Sequence, residues 1–256
     1  MTKPLENKIA LVTGASRGIG RAIAKTLAAD GALVAVHYGK SRAGADEVVA
    51  SIKAAGGDAF AVGAGLSLKD AATALFAALD PELVRRNGTA KFDILINNAG
   101  IASMISFADT KSADLDDVYT VNFRSLYLIT QEAVKRLNDG GRIVSTSSIL
   151  ARTPTGMVAA YSALKPAIDN LSKTLAVDLG PRNITVNVVA PGNIDTDMNG
   201  FAASPEQTAW VLSKQALKRV GTADDVADVV AFLAGPRARW VTGQTIEAGG
   251  GSGLTF

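Results

Sequence analysis

A chain of 256 residues, 48% hydrophobic and 20% charged, is long enough to bury one large core, and single α/β domains of this length are ordinary. Its 26 basic and 24 acidic residues are mixed along the chain, giving a net charge of +2 and no basic block to follow a phosphate backbone, which argues against a nucleic-acid partner. With no cysteine and only one histidine, His37, the sequence excludes disulfides, thiolate or histidine-rich metal sites, a cysteine nucleophile and a serine–histidine relay, so no metal is expected.

In chain order, strands are predicted at 8–14 (KIALVTG), 31–38 (GALVAVHY), 58–64 (DAFAVGA), 92–100 (FDILINNAG), 141–148 (GRIVSTSS), 183–192 (NITVNVVAPG) and 243–251 (GQTIEAGGG). Several are apolar on successive residues, as strands buried on both faces are, and the stretches between them carry helical spacing, as in Ala22, Ile23, Leu27 or Val226, Val229, Val230, Leu233. The pattern predicts one α/β domain over 1–256, with a seven-stranded parallel sheet doubly wound by helices. Two stretches read as additions to this scheme, 79–91 and 192–215. The second follows the C-terminal end of a strand, where open α/β sheets place their ligands. No apolar run approaches a membrane span, and MTKPLENKIALVTG lacks a basic segment leading into an apolar stretch, so a cytoplasmic protein without a membrane partner is expected.

Between the first strand and the first helix lies TGASRGIG, residues 13–20, with Gly14, Gly18 and Gly20. Glycine lets the chain turn tightly and a pyrophosphate approach the backbone, while the free amides and dipole of the following helix favour its charge. A fold of this kind that selects NAD places a carboxylate near the end of the second strand, to bind the ribose 2′-OH. Here that place reads VAVHYGKSR: His37 and Tyr38 stand where the acid would be, and Arg17, Lys40 and Arg42 are close in sequence. The expectation is therefore NADP(H) in preference to NAD(H), which stays possible.

Tyr161 and Lys165 stand one helical turn apart, where an ammonium favours loss of the phenol's proton and equips it for acid–base work. Upstream, STSS closes the fifth predicted strand, so Ser148 could face Tyr161 across a pocket. With these residues in place the chain resembles the short-chain dehydrogenase/reductase superfamily from Lys8 to Gly250. Its glycine motif matches Thr13, Gly14, Gly18, Ile19 and Gly20. Its central-strand motif matches Asn97, Asn98, Ala99 and Gly100, its catalytic four match Asn122, Ser148, Tyr161 and Lys165, and its late loop matches Pro191 and Gly192.

The resemblance implies a Rossmann fold and an oxidoreductase that moves a hydride between nicotinamide and a carbonyl or secondary alcohol. Tyr161 would protonate the carbonyl oxygen, Ser148 would hydrogen-bond it, Lys165 would assist the tyrosine and hold the nicotinamide ribose, and Asn122 would position a water in a proton relay. Cofactor contacts are expected from Thr13, Gly14, Ser16, Arg17, Gly18, Ile19, Gly20, His37, Tyr38, Lys40, Ser41, Asn98, Ala99, Gly100, Tyr161, Lys165, Pro191, Gly192, Ile194 and Thr196. The overall pattern is nearest the 3-oxoacyl thioester reductases, which makes such a thioester or a small ketone the expected substrate. The alternatives are a sugar or other alcohol dehydrogenase, or a catalytically silent NADP(H)-binding sensor, whose usual mark is a lost tyrosine or lysine. A homotetramer is implied, joined through helices around 122–137 and 161–179 and the C-terminal strand.

Two residues depart from the family pattern. Pro166 follows the lysine directly and predicts a local kink just before Lys165, and Gly65 stands where relatives carry an aspartate against the adenine. Ile194, Met198, Phe201 and Trp210 give 193–215 the composition of a lid over a partly apolar pocket, with Met104, Ile149 and Met157 as further walls.

Overall fold

Seven strands form where seven were expected: β1 (Ile9–Val12), β2 (Leu33–Tyr38), β3 (Asp58–Gly63), β4 (Phe92–Asn97), β5 (Leu137–Thr146), β6 (Thr185–Pro191) and β7 (Thr245–Ala248). In the computed structural model, which describes residues 3–197 and 204–254, they pair in parallel in one sheet of order β3-β2-β1-β4-β5-β6-β7. The described helices are α1 (Gly18–Ala29), α2 (Arg42–Ala54), α3 (Ala71–Asn87), α4 (Ser112–Tyr119), α5 (Ser125–Val134), α6 (Ala159–Leu179), α7 (Pro205–Ser213) and α8 (Ala223–Ala234). None of them is long and apolar enough to cross a membrane.

Side chains alternate across a strand, and β1 shows how this builds two cores. Ala10 and Val12 join Ile23, Leu27, Val226 and Val230 under α1 and α8, while Ile9 and Leu11 join Leu75, Phe76 and Ile129 under α3 and α5. Phe92 and Ile94 are two apart yet face opposite cores, because the register with β5 slips between them. Asp93 sits at the slip, its buried carboxylate accepting from the Ile9 amide at 3.0 Å, Lys8 Nζ at 3.1 Å and Asn138 Nδ2 at 3.1 Å. Strand β5 accordingly begins at Leu137, before the expected 141, with the irregular stretch 138–140 in solvent.

The stretch 79–91, expected to be an addition, is largely the second half of α3, which runs through Pro81 to Asn87 and stops at Gly88 in the left-handed conformation (φ +73°). Proline removes one helical hydrogen bond, but Pro81 faces solvent and burial of Leu75, Phe76, Leu79 and Leu83 on the other face offsets the loss. Helix α6 likewise passes Pro166 without interruption. The chain leaves the sheet centre toward β2 and β3, then returns through β4 to build the other half. This reversal opens a cleft above the C-terminal ends of β1 and β4, the position at which such sheets bind ligands.

Candidate active site

The loop leaving β1 is tied down on both sides. Thr13 Oγ1 donates to the Ile96 carbonyl at 3.2 Å and accepts from the amides of Asn98 at 3.0 Å and Ala99 at 3.1 Å. Asn98 Nδ2 donates back to the carbonyls of Thr13 at 3.0 Å and Gly14 at 3.2 Å. Gly14 has φ +65°, and a Cβ there would lie 2.8 Å from Ala99 Cα, so no other residue fits. The Arg21 amide makes the first helical bond of α1, to the Arg17 carbonyl at 3.1 Å, which leaves the amides of Gly18, Ile19 and Gly20 at the open helix end. A methyl placed on Gly18 would lie 3.7 Å from Thr196, so the loop after β6 touches this one, and Pro191 and Gly192 lead into it. At the rim of the same region Arg17, Lys40 and Arg42 are exposed, Tyr38 lies over Gly63, and Ser41 caps α2 by accepting from the Gly44 amide at 3.3 Å. No carboxylate stands at the end of β2.

His37 is not where a direct cofactor contact needs it. Its side chain is interior, 1% exposed, and burial pulls its pKa down to about 4, opposed by the bond to Ala64. Nδ1 accepts from the Gly14 amide at 3.1 Å and Nε2 meets the Ala64 carbonyl at 3.0 Å. On β2 His37 shares the face of Ala35, toward the core under α3 and α5, and Tyr38 shares the face of Val34 and Val36, half-buried against the core under α1 and α8. Gly65, next to Ala64, has only the Leu68 side chain near the place of a Cβ, at 3.4 Å, so a side chain is sterically admissible there.

Asn122 lies in a π-turn, Thr120–Arg124, that joins α4 to α5. Such turns frequently mark functional positions. Its Nδ2 donates to the carbonyls of Ile101 at 2.9 Å and Val118 at 3.0 Å, and its Oδ1 accepts from the Ile101 amide at 3.0 Å. Both amide hydrogens are thereby committed to the main chain, and a relay water has to be held by another group. Gly100 is required beside it, since a Cβ would lie 2.7 Å from Asn122 Oδ1.

Ser148 closes the turn after β5, where its Oγ accepts from the Leu150 amide at 3.2 Å and keeps its own hydrogen for another acceptor. Tyr161 stands in the first turn of α6, where the helix dipole favours negative charge. Lys165 is buried on the same face, its Nζ 2.9 Å from the Thr146 carbonyl and 4.9 Å from the centre of the Tyr161 ring. One turn further, burial pushes the Asp169 carboxyl up, against the nearby Ser147 hydroxyl and Lys165. Pro166 points to solvent and leaves this face intact.

Of the expected lid, Met198 and Phe201 lie outside the described residues. Ile194 is a core residue, in a bridge with Gly221, and Ile149 is buried beneath Gly249. Met104, Met157 and Trp210 are exposed, as are Leu217 and Leu254, which the sequence reading did not single out. Beneath them Gln215 is fully enclosed. Its Nε2 donates to the carbonyls of Leu217 at 2.7 Å and of Arg219, and its Oε1 meets Ser252 Oγ at 3.3 Å. Asn193 Nδ2 reaches the same hydroxyl at 3.3 Å, so the chain after β6, the chain after α7 and the C-terminal tail meet in one knot. Nothing in the local sequence, LSKQALKR over 212–219, marks it.

A family model described as enoyl-(acyl carrier protein) reductase matches residues 14–253. Versicolorin reductase 1 of Aspergillus parasiticus is 42% identical over 263 residues, covering 97% of each chain. A 3-oxoacyl-[acyl-carrier-protein] reductase, FabG, of Staphylococcus aureus is 40% identical over 246 residues, covering 95% of this chain and 97% of its own. Among solved structures, the landomycin C-6 ketoreductase LanV with bound NADP and rabelomycin superposes with a TM-score of 0.91 at 41% identity, covering 98% of each chain.

Proposed function

Because the chain belongs to the short-chain dehydrogenase/reductase family, we propose that it is an NADP(H)-dependent ketoreductase. What supports the reading is that Lys165, buried and stacked over the Tyr161 ring, reaches the Thr146 carbonyl at the end of β5, the strand end from which Ser148 follows two residues on, while the amides at the start of α1 stand open after the glycine loop. The residues present fit a dinucleotide: amides for the pyrophosphate, the exposed cations Arg17, Lys40 and Arg42 for a 2′-phosphate, and no acid at the end of β2 to repel it. When bound, NADPH supplies a hydride to the carbonyl carbon.

Around that transfer Tyr161 gives its phenolic proton to the carbonyl oxygen, and the ammonium of Lys165 and the N-terminal end of α6 stabilise the phenolate left behind. Ser148 donates its remaining hydrogen to the same oxygen. Asn122 acts by shaping the π-turn and pinning Ile101, with main-chain oxygens of that turn left to hold a water that returns the proton.

The substrate reading is an apolar ketone, either a 3-oxoacyl thioester or a bulkier ketone of the kind versicolorin reductase and the landomycin ketoreductase are named for. Exposed Met104, Met157, Leu217 and Leu254, with Trp210 on α7, favour these over sugars. The segment 193–215 acts as a lid, hinged on the Gln215–Ser252–Asn193 knot. Assembly as a homotetramer is supported by exposed apolar residues: the ladder Tyr119, Phe123 and Tyr127 along α4 and α5, with ring centroids 6.2 and 6.3 Å apart, and Val177 on α6, Phe232 on α8 and Trp240, the last 95% exposed.

The test is oxidation of NADPH, with NADH in parallel, against 3-oxoacyl thioesters, a versicolorin, rabelomycin, small ketones and ketoses. Turnover of an apolar ketone with NADPH supports the reading. Turnover of ketoses alone, or NADH binding as tightly as NADPH, overturns the substrate or the cofactor part respectively.

A further inference from the structure

We propose that His37 is a positioning residue for the bound dinucleotide, holding the phosphate loop and the adenine-side end of β3 in register from inside the protein. The proposal rests on the dinucleotide reading of that loop. Three bonds converge on this residue: the Gly14 amide donates to Nδ1 at 3.1 Å, Nε2 meets the Ala64 carbonyl at 3.0 Å, and the Ala15 amide donates to the His37 carbonyl at 2.8 Å. The partners dictate the tautomer. An amide can only donate, so Nδ1 is bare; a carbonyl can only accept, so Nε2 carries the hydrogen.

The arrangement matters because Gly14 is where the chain turns from β1 toward α1 in the left-handed conformation. Its carbonyl is held by Asn98 and its amide by His37, so the turn that sets the open amides of residues 18–20 is clamped from both ends. On the other side the ring fixes Ala64, and with it Gly65, the position at which the family resemblance places the adenine. A ring nitrogen pair thus spans the two ends of the adenosine diphosphate site without touching the ligand. Nothing catalytic shares these bonds: Ser148, Tyr161 and Lys165 are held by β5 and α6. Losing the bond to Gly14 leaves a part-buried amide without its acceptor and disfavours this geometry of the loop.

The test compares the near-isosteric variants His37→Asn and His37→Leu with the parent by titration with NADPH and NADH and by steady-state kinetics. Asparagine can accept from the Gly14 amide and leucine cannot. The leucine variant is expected to raise the Kd and KM for NADPH by about 10- to 100-fold, with kcat and the ketone KM at saturating NADPH within about threefold; asparagine is expected to recover most of the loss. Equal affinity of the two variants overturns the proposal, as does a leucine variant whose ketone KM and kcat deteriorate as much as its NADPH affinity, since that is general loss of structure. If the leucine variant does not fold, amide hydrogen exchange of the parent decides, with slow exchange at Gly14 expected and exchange at the rate of an open loop fatal. A parent that binds neither dinucleotide rejects the cofactor reading and this proposal together; a parent that binds, with both variants unchanged, rejects this proposal alone.

Discussion

Around the phosphate loop the amides of Thr13, Gly14 and Ala15 and the carbonyls of Thr13 and Gly14 are each tied to a neighbouring strand or side chain. Across the cleft, Met104, Met157, Trp210, Leu217 and Leu254 each leave more than half of their surface in water. The first region is built by directional polar contacts that admit one geometry, the second by apolar surface that tolerates many. A dinucleotide presents the same phosphates and rings at each turnover, so its seat can be formed in advance, whereas a rim held by apolar surface can adapt to more than one shape.

Substitutions on the two sides should therefore fail differently. Tyr161→Phe, at the junction of the regions, is expected to lower kcat by about 10²- to 10⁴-fold with NADPH affinity and Tm little changed; near-normal turnover would remove the acid–base role. On the rigid side, Gly14→Ala combines a left-handed φ with a 2.8 Å approach to Ala99 Cα, and should cost about 2–4 kcal/mol, seen as a Tm lower by roughly 5–10 °C along with lost NADPH binding.

The buried histidine gives the same side a pH signature. Its pKa is about 4 in the folded chain against 6.5 as the unperturbed value, so below pH 6.5 the unfolded chain takes up a proton that the native one refuses. Stability must then decline as pH falls from 6.5 toward 4, by about 2–3 kcal/mol from this residue. Urea unfolding at pH 7 and 4.5 should show that excess sensitivity in the parent and not in His37→Asn; parallel behaviour of the two would contradict it. The smallest effects belong to the soft side: Trp210→Ala and Met157→Ala should each shift the ketone KM by about 3- to 10-fold while leaving the NADPH Kd unchanged. A comparable shift in NADPH affinity would erase the contrast between the regions.

Much of this was readable from the chain. Strands buried on both faces announce themselves as apolar runs, and the glycine loop and the Tyr161–Lys165 spacing are visible in the chain, while their reading with Ser148 as one site came from the family resemblance. What escaped were features decided by tertiary contacts. The enclosure of His37 comes from Gly14 and Ala64 on neighbouring elements, so a residue standing at the usual place of a ribose-binding acid turned out to be buried. The continuation of α3 through Pro81 depends on the core beneath it, which local propensity cannot see. The link among Asn193, Gln215 and Ser252 joins residues far apart in sequence with no pattern in common.

The π-turn at Thr120–Arg124 carries a last consequence. Such a turn holds one residue more than an ordinary helical turn while the helix on either side keeps its angular phase. Shortening the segment by one residue would give an unbroken α-helix with Val118 on one side and Ile129 and Ala133 on the other still pointing into the core. The extra residue belongs to the turn from which Asn122 bonds the carbonyls of Val118 and Ile101 and the Ile101 amide, tying the junction of α4 and α5 to the loop after β4.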